Sequence, residues 1–207
     1  MFSRFPILLV TLLSMASLAF GFMRSTGLQS KAALSRRFSS VNDVVPTGIL
    51  IDTVTSSGGS TPESVISKDV DIGALLKGYK KCVLFAVPGA FTPTCSALHL
   101  PGFVNNAEAM KAKGVDAILC LSVNDRFVLK AWGESTAGFL ASGVQLIADG
   151  NGEFTAALKQ TKDATGGHMG LRSMRYAMII ENGVITAVNV DPKDFDKSSA
   201  EHTLTLL

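Results

Sequence analysis

The chain has 207 residues, 47% hydrophobic and 17% charged, enough apolar material for one domain plus an extension and too much for a wholly disordered chain. Its net charge of +2 hides an asymmetry: residues 1–42 hold Arg4, Arg24, Lys31, Arg36 and Arg37 and no acid, and nineteen basic residues less these five leave 14 against 17 acidic, or −3 for the rest. That excludes the clustered basic face of a nucleic-acid binder. Three cysteines with no C-x-x-C pair exclude a disulfide framework and argue against structural zinc.

The first segment reads as an address. An apolar run from Phe5 to Phe22 follows Arg4, and Ser17-Leu18-Ala19 offers small residues where a signal peptidase reads. A membrane anchor is the alternative, because the run is near the minimum spanning length. Phe20 to Asn42 is rich in Ser and Arg and free of acids, as transit peptides are. Together these resemble the bipartite leaders of proteins sent to plastids of secondary origin, with Phe20 after the signal cleavage point. The mitochondrion is the alternative, since Arg36-Arg37-Phe38 resembles a matrix-processing site. Residues 1–42 are therefore expected to be a removable presequence and 43–207 the folded domain, with no membrane segment in the mature form.

Val44 to Ser67, rich in Thr, Ser, Gly and Pro, reads as an edge segment with turns. Continuous apolar runs at Cys82–Val87, Ala117–Val123 and Val144–Ala148 predict central strands covered on both faces. Tyr176–Ile180 and Val184–Val190 flank Asn182-Gly183, a strong hairpin signal. Helices are expected over Cys95–Lys113 with a kink at Pro101, over Asp125–Thr136 after an Asn124 N-cap, over Glu153–Gln160 and over Ser198–Leu207. Parallel strands alternating with helices, then an antiparallel hairpin, predict an α/β domain with a mixed central sheet and flanking helices, most economically a thioredoxin-like fold.

The stretch from Val87 to Ser96 leaves a buried strand and enters a helix. Thr92 suits the N-cap and Pro93 the first helical position, so Cys95 falls in the first turn. Unpaired N–H groups and the helix dipole favour an anion there, and a thiolate is one. The Thr92 hydroxyl is expected to fold back onto the sulfur. The backbone N–H groups of Thr94 and Cys95 are expected to face a reacting oxygen, and Pro88 and Pro93 to stiffen the loop and exclude water. A guanidinium would complete the site, and Arg172 and Arg175 lie where the Tyr176 strand begins. Cys120 and Cys82 lie in apolar strands, where packing competes with a redox role. For His99, packing competes with function. His168 and His202 read as surface residues, Asp149–Glu153 as a tight turn before a helix, and Gly166-Gly167 as a mobile loop.

Pro88-x-x-x-Thr92-x-x-Cys95 matches the active-site motif of the peroxiredoxins. Together with His99 to Phe103, Ser122 to Asp125, Asp149 to Phe154 and Arg175-Tyr176-Ala177, the stretch from about residue 70 to 207 resembles the type II (fifth-class, atypical) subfamily. The resemblance implies a thiol peroxidase for hydrogen peroxide and small alkyl hydroperoxides. Cys95 would be the peroxidatic cysteine, Thr92 and Arg175 would orient the peroxide, Pro88 would limit access, and Thr94 and His99 would sit against substrate. It implies no cofactor or metal, and a homodimer. Some relatives carry a resolving cysteine near the chain end, and Asp191 to Leu207 contains none. This chain therefore resembles the plant members served by glutathione and glutaredoxin, with thioredoxin as the other reductant and Cys120 as the candidate resolving thiol. A dithiol oxidoreductase is disfavoured because Leu98 stands where C-x-x-C needs its second cysteine.

Overall fold

A computed structural model of the chain describes residues 39–207. Of the expected presequence, 1–42, the residues up to 38 lie outside the described residues. Its last four are bonded to the body: Ser39 Oγ donates to Leu158 O at 2.7 Å, and Asn42 N to Ile185 O at 2.8 Å.

The strands are β1 (Leu50–Ser56), β2 (Ser64–Asp71), β3 (Lys81–Val87), β4 (Ala117–Ser122), β5 (Gln145–Ala148), β6 (Thr161–Asp163), β7 (Leu171–Ser173), β8 (Arg175–Glu181) and β9 (Val184–Asp191). Seven form one sheet in the order β2-β1-β5-β4-β3-β8-β9, and β6 pairs with β7 separately. The parallel centre, β3-β4-β5, coincides with the three continuous apolar runs. β8 and β9 are antiparallel and turn through Asn182 and Gly183, whose φ values of 51° and 79° are what a two-residue hairpin with matched twist requires. The Val44–Ser67 segment is more than an edge: β2 forms the sheet edge, but β1 pairs with β5 and lies one strand in. Its Thr and Ser content hid a strand whose partners are remote in sequence. The glycine pair 166–167, expected to be mobile, lies in a short 3-10 turn closing the β6–β7 hairpin.

Side chains alternate across the sheet, so each face has its own core. Val83, Phe85, Val87 and Cys120 face one layer, built by α2 (Leu100–Asn105), α3 (Ala107–Ala112), α4 (Arg126–Ser135), α5 (Phe139–Ser142) and α7 (Ala200–Leu206). Cys82, Leu84, Ala86, Leu119 and Leu121 face the other, built by α1 (Ile72–Lys77) and α6 (Glu153–Ala157). This is the mixed three-layer α/β arrangement expected, on a thioredoxin-like plan.

Two helical expectations change. The Cys95–Lys113 helix is not continuous: Cys95–His99 is a π turn, in which Leu100 N donates to Cys95 O, and α2 and α3 break at Asn106. Pro101 has no N–H for the carbonyl of residue 97, and its ring would clash with that carbonyl in an α turn; widening the preceding turn relieves both. At α4 the N-cap is Asp125, which accepts from Phe127 N and Val128 N, and Asn124 is freed for another task.

Candidate active site

β3 delivers the chain to the carboxyl end of the parallel strands, where crevices of open α/β sheets form. The loop Pro88–Thr92 then turns sharply, with Phe91 at φ 60°, a strained conformation for an aromatic residue. Several bonds hold it. Thr92 Oγ1 donates to Gly89 O at 2.9 Å. Ala90 N donates to Asn124 Oδ1 at 3.0 Å, and Ser122 Oγ donates to the same oxygen at 2.7 Å. Thr92 therefore closes the loop, and among the described residues it makes no hydrogen bond to the sulfur, contrary to expectation. Its single proton goes to the carbonyl three residues back.

The helix begins as expected. Ser96 N donates to Thr92 O at 3.0 Å, so the N–H groups of Thr94 and Cys95 precede the first helical bond. Cys95 is fully buried. Its sulfur accepts from Arg175 Nη2 at 3.4 Å. Arg175, the first residue of β8, is brought there by the antiparallel pairing of β3 with β8. Its other terminal nitrogen, Nη1, lies 3.0 Å from His99 Nδ1, and His99 Nε2 lies 3.0 Å from the Ser198 carbonyl. Arginine only donates and a carbonyl only accepts, so Nδ1 must accept and Nε2 must carry the proton. His99 is thereby fixed as one neutral tautomer. Burial, and then the adjacent Arg175 charge, push its pKa down to about 3 against the opposing pull of Ser198 and Asp191. Phe195 closes the far side, its ring 5.6 Å from Arg175 Cζ and 5.0 Å from the His99 ring.

The other cysteines are placed differently. Cys120 sits mid-strand in β4 opposite Phe85, in the same core as Cys95, and is fully buried. Desolvation, then the neighbouring Cys95, push its thiol well above the ordinary range. Cys82 points to the other face of the sheet, with burial raising it to about 12. The sheet itself separates it from Cys95. Arg172, the other candidate guanidinium, braces the loops instead: Nη1 donates to Val123 O at 2.9 Å and Nε to Met169 O at 2.8 Å. Pro88 is half-buried at the start of the loop. Three tasks at the site were not legible in the sequence: Asn124 as a loop brace, Ser96 accepting from Trp132 Nε1 at 2.9 Å, and the 191–198 segment behind His99. A histidine four residues after the cysteine was the one visible hint. Among the described residues no group of His, Cys, Asp and Glu is arranged to hold a metal.

A buried thiol at a helix start, under a guanidinium, on a thioredoxin-like sheet defines a thiol-based redox enzyme. The redoxin family profile matches residues 57–204. Peroxiredoxin-2C of Arabidopsis thaliana is 42% identical over 168 residues, covering 81% of this chain and 97% of that protein. Chloroplastic peroxiredoxin-2E-2 of Oryza sativa subsp. japonica is 50% identical over 143 residues, 68% of this chain and 63% of that protein. Among solved structures, reduced Prx3 of Vibrio vulnificus in complex with hydrogen peroxide is 45% identical with a TM-score of 0.66, covering 81% of this chain and 99% of that one. The chain belongs to the redoxin family, as a type II peroxiredoxin resembling plant organellar members: a thiol peroxidase that reduces peroxide at the expense of a thiol.

Proposed function

We propose that Cys95 is the peroxidatic thiol for hydrogen peroxide and small alkyl hydroperoxides, and that an external low-molecular-weight thiol or glutaredoxin regenerates it. The observation that carries this is the Arg175 fork, with one arm on the Cys95 sulfur and the other on a neutral histidine. The thiolate attacks one peroxide oxygen; an S–O bond forms as O–O breaks. The bonding pair leaves on the distal oxygen, which takes a proton and departs as alcohol or water. Sulfur loses two electrons and becomes sulfenic acid. Arg175 and the Thr94 and Cys95 N–H groups lie where donors can stabilise the leaving oxygen, while Thr92, by closing the loop, and Pro88 hold the walls. His99 acts on substrate only through Arg175. A thiol then condenses with the sulfenic acid, releasing water and forming a mixed disulfide that a second thiol reduces.

The full burial of Cys120, which holds its thiol protonated, supports an external reductant over a resolving role, because the thiolate is the form that attacks a sulfenic acid. Residues 1–42 are read as the presequence, and the chloroplastic relatives favour a plastid, with a secondary plastid as the finer reading and the mitochondrion as its rival. A fluorescent protein fused after residue 42 reads the destination. Exposed Phe91, Phe127, Met169 and Leu171 lie on the 88–92 loop, the start of α4 and the β6–β7 hairpin, segments brought together at Gly89, where an added Cβ would lie 3.6 Å from Arg172 Nη1 and 3.9 Å from Asn124 Oδ1. This apolar rim supports a homodimer, which sedimentation equilibrium tests.

The deciding experiment is the intact mass of the full chain before and after one equivalent of hydrogen peroxide, with and without glutathione, beside Cys95→Ser and Cys120→Ala. A Cys95-dependent gain of oxygen, or of glutathione, with Cys120→Ala turning over within about twofold of the parent, is expected. Loss of two hydrogens that disappears in Cys120→Ala would make Cys120 resolving. No Cys95-dependent change would end the peroxidase reading.

A further inference from the structure

Asp191, the last residue of β9, stands directly opposite Arg175 across the β8–β9 ladder. Opposed residues of antiparallel strands project to the same face with Cβ atoms about 4.5–5.5 Å apart. An aspartate so placed would ordinarily take the guanidinium fork in a bidentate ion pair. It does not. Its carboxylate is turned into the segment that follows: Oδ2 accepts from Asp196 N at 3.0 Å, Ser198 N at 2.9 Å and Ser198 Oγ at 2.7 Å, and Oδ1 accepts from Lys197 N at 3.2 Å. Asp191 is only 8% exposed, so water does not compete for these positions.

This arrangement does two things. It occupies the carboxylate that stands opposite Arg175 on the ladder, leaving both arms of the guanidinium for Cys95 and His99. It also closes residues 191–198 into a strap whose last carbonyl, that of Ser198, holds His99 Nε2 and so presents Nδ1 to Arg175. Within the strap, Phe195 lies over the Arg175–His99 pair. We infer that the 191–198 strap is a positioning device for peroxide reduction: Asp191 and Ser198, touching neither sulfur nor substrate, keep the Arg175 fork aimed at the Cys95 sulfur. The inference rests on Cys95 being the peroxidatic thiol. It gives the C-terminal segment, which holds no cysteine in this chain, a role in the first chemical step.

Two rate constants measured on the full chain test it: oxidation of Cys95 by hydrogen peroxide and alkylation by neutral iodoacetamide. Only the first needs donors aimed at a leaving oxygen. In Asp191→Asn the side-chain NH2 meets backbone N–H donors, the strap loosens and the fork loses its anchor. Peroxide oxidation should slow by about tenfold, the scale of a sub-ångström misplacement, and by several-fold more than alkylation, which loses only what the fork gives the thiolate. Ser198→Ala, which removes one of the four bonds, should shift the same ratio in the same direction by less, and decides the matter if Asp191→Asn does not fold. The His99 ring nitrogens, read by 15N NMR, should lose the pure Nε2–H signature in Asp191→Asn. Both rates falling in parallel would make the strap mere scaffolding, and wild-type rates in both variants would remove it from the mechanism. A parent chain whose peroxide consumption is indifferent to Cys95→Ser would overturn the peroxidase reading and this inference with it.

Discussion

At the residue scale, the site depends on donors that have no second choice. Arginine cannot accept, a carbonyl cannot donate, and one histidine between them is left a single tautomer. Thr92 is equally committed: its hydroxyl donates to Gly89 O and so shapes the loop in front of the sulfur. Thr92→Val keeps the branched shape and removes that bond. We expect peroxide reduction to fall by at least about tenfold, with the secondary structure retained, because the loop then presents the helix-start donors less accurately. Stopped-flow peroxide kinetics beside far-UV circular dichroism check this. An unchanged rate would leave Thr92 a purely structural cap.

At the element scale, the π turn and α4 meet where Trp132 Nε1 donates to Ser96 Oγ, one residue from the reactive sulfur. Trp132 is the chain's single tryptophan, buried in the same core as Cys95. Oxidation of Cys95 adds an oxygen to a packed site, and the first turn must shift to hold it. Trp132 emission should therefore change with the rate constant of Cys95 oxidation and stay constant in Cys95→Ser when peroxide is added. α4 is itself held close to its neighbours by Gly133, where an added Cβ would lie 2.7 Å from Phe139 Cε1 and 2.9 Å from Leu146 Cδ1. Gly133→Ala should cost about 1–3 kcal/mol through overpacking, read as a lowered denaturation midpoint.

On the scale of the whole molecule, the buried ionisable groups set the pH range of stability. His99 titrates at about 3 in the folded chain against an ordinary 6.5, so between these values the unfolded chain binds a proton that the folded one refuses. Stability from this group is present above 6.5 and falls as pH drops toward 3. Asp191, Asp52 and Asp71 are held below their ordinary 3.8, so their contributions are lost as pH falls through that range. Cys82 and Cys120 act in the opposite direction. Above an ordinary 9.0 the unfolded thiols release protons that the folded ones keep, and stability falls as pH rises. The thermal midpoint should be highest between about pH 6.5 and 9 and decline on both sides. A midpoint level down to about pH 4.5 would contradict a buried neutral His99.

Much of this molecule was written locally. Three continuous apolar runs announced the parallel centre because strands buried on both faces can carry little else, and Asn182-Gly183 announced the β8–β9 turn because few other residues accept its backbone. Pro88, Thr92, Pro93 and Cys95 marked the reactive loop, since a strand end, a cap and a helix start are short-range events. Long-range geometry was silent in the sequence. β1, rich in Thr, became an inner strand only by pairing with β5; Asn124 left the cap to Asp125 to brace a loop 34 residues away; and Thr92 turned to a carbonyl instead of the sulfur. Arg175 faces Cys95 across 80 residues, and Asp191 turns away from Arg175 into its own loop, because strand pairing and burial settle which donor meets which acceptor. The sequence by itself determined that a thiol would stand at the start of a helix; the tertiary structure decided which charges would be allowed to touch it.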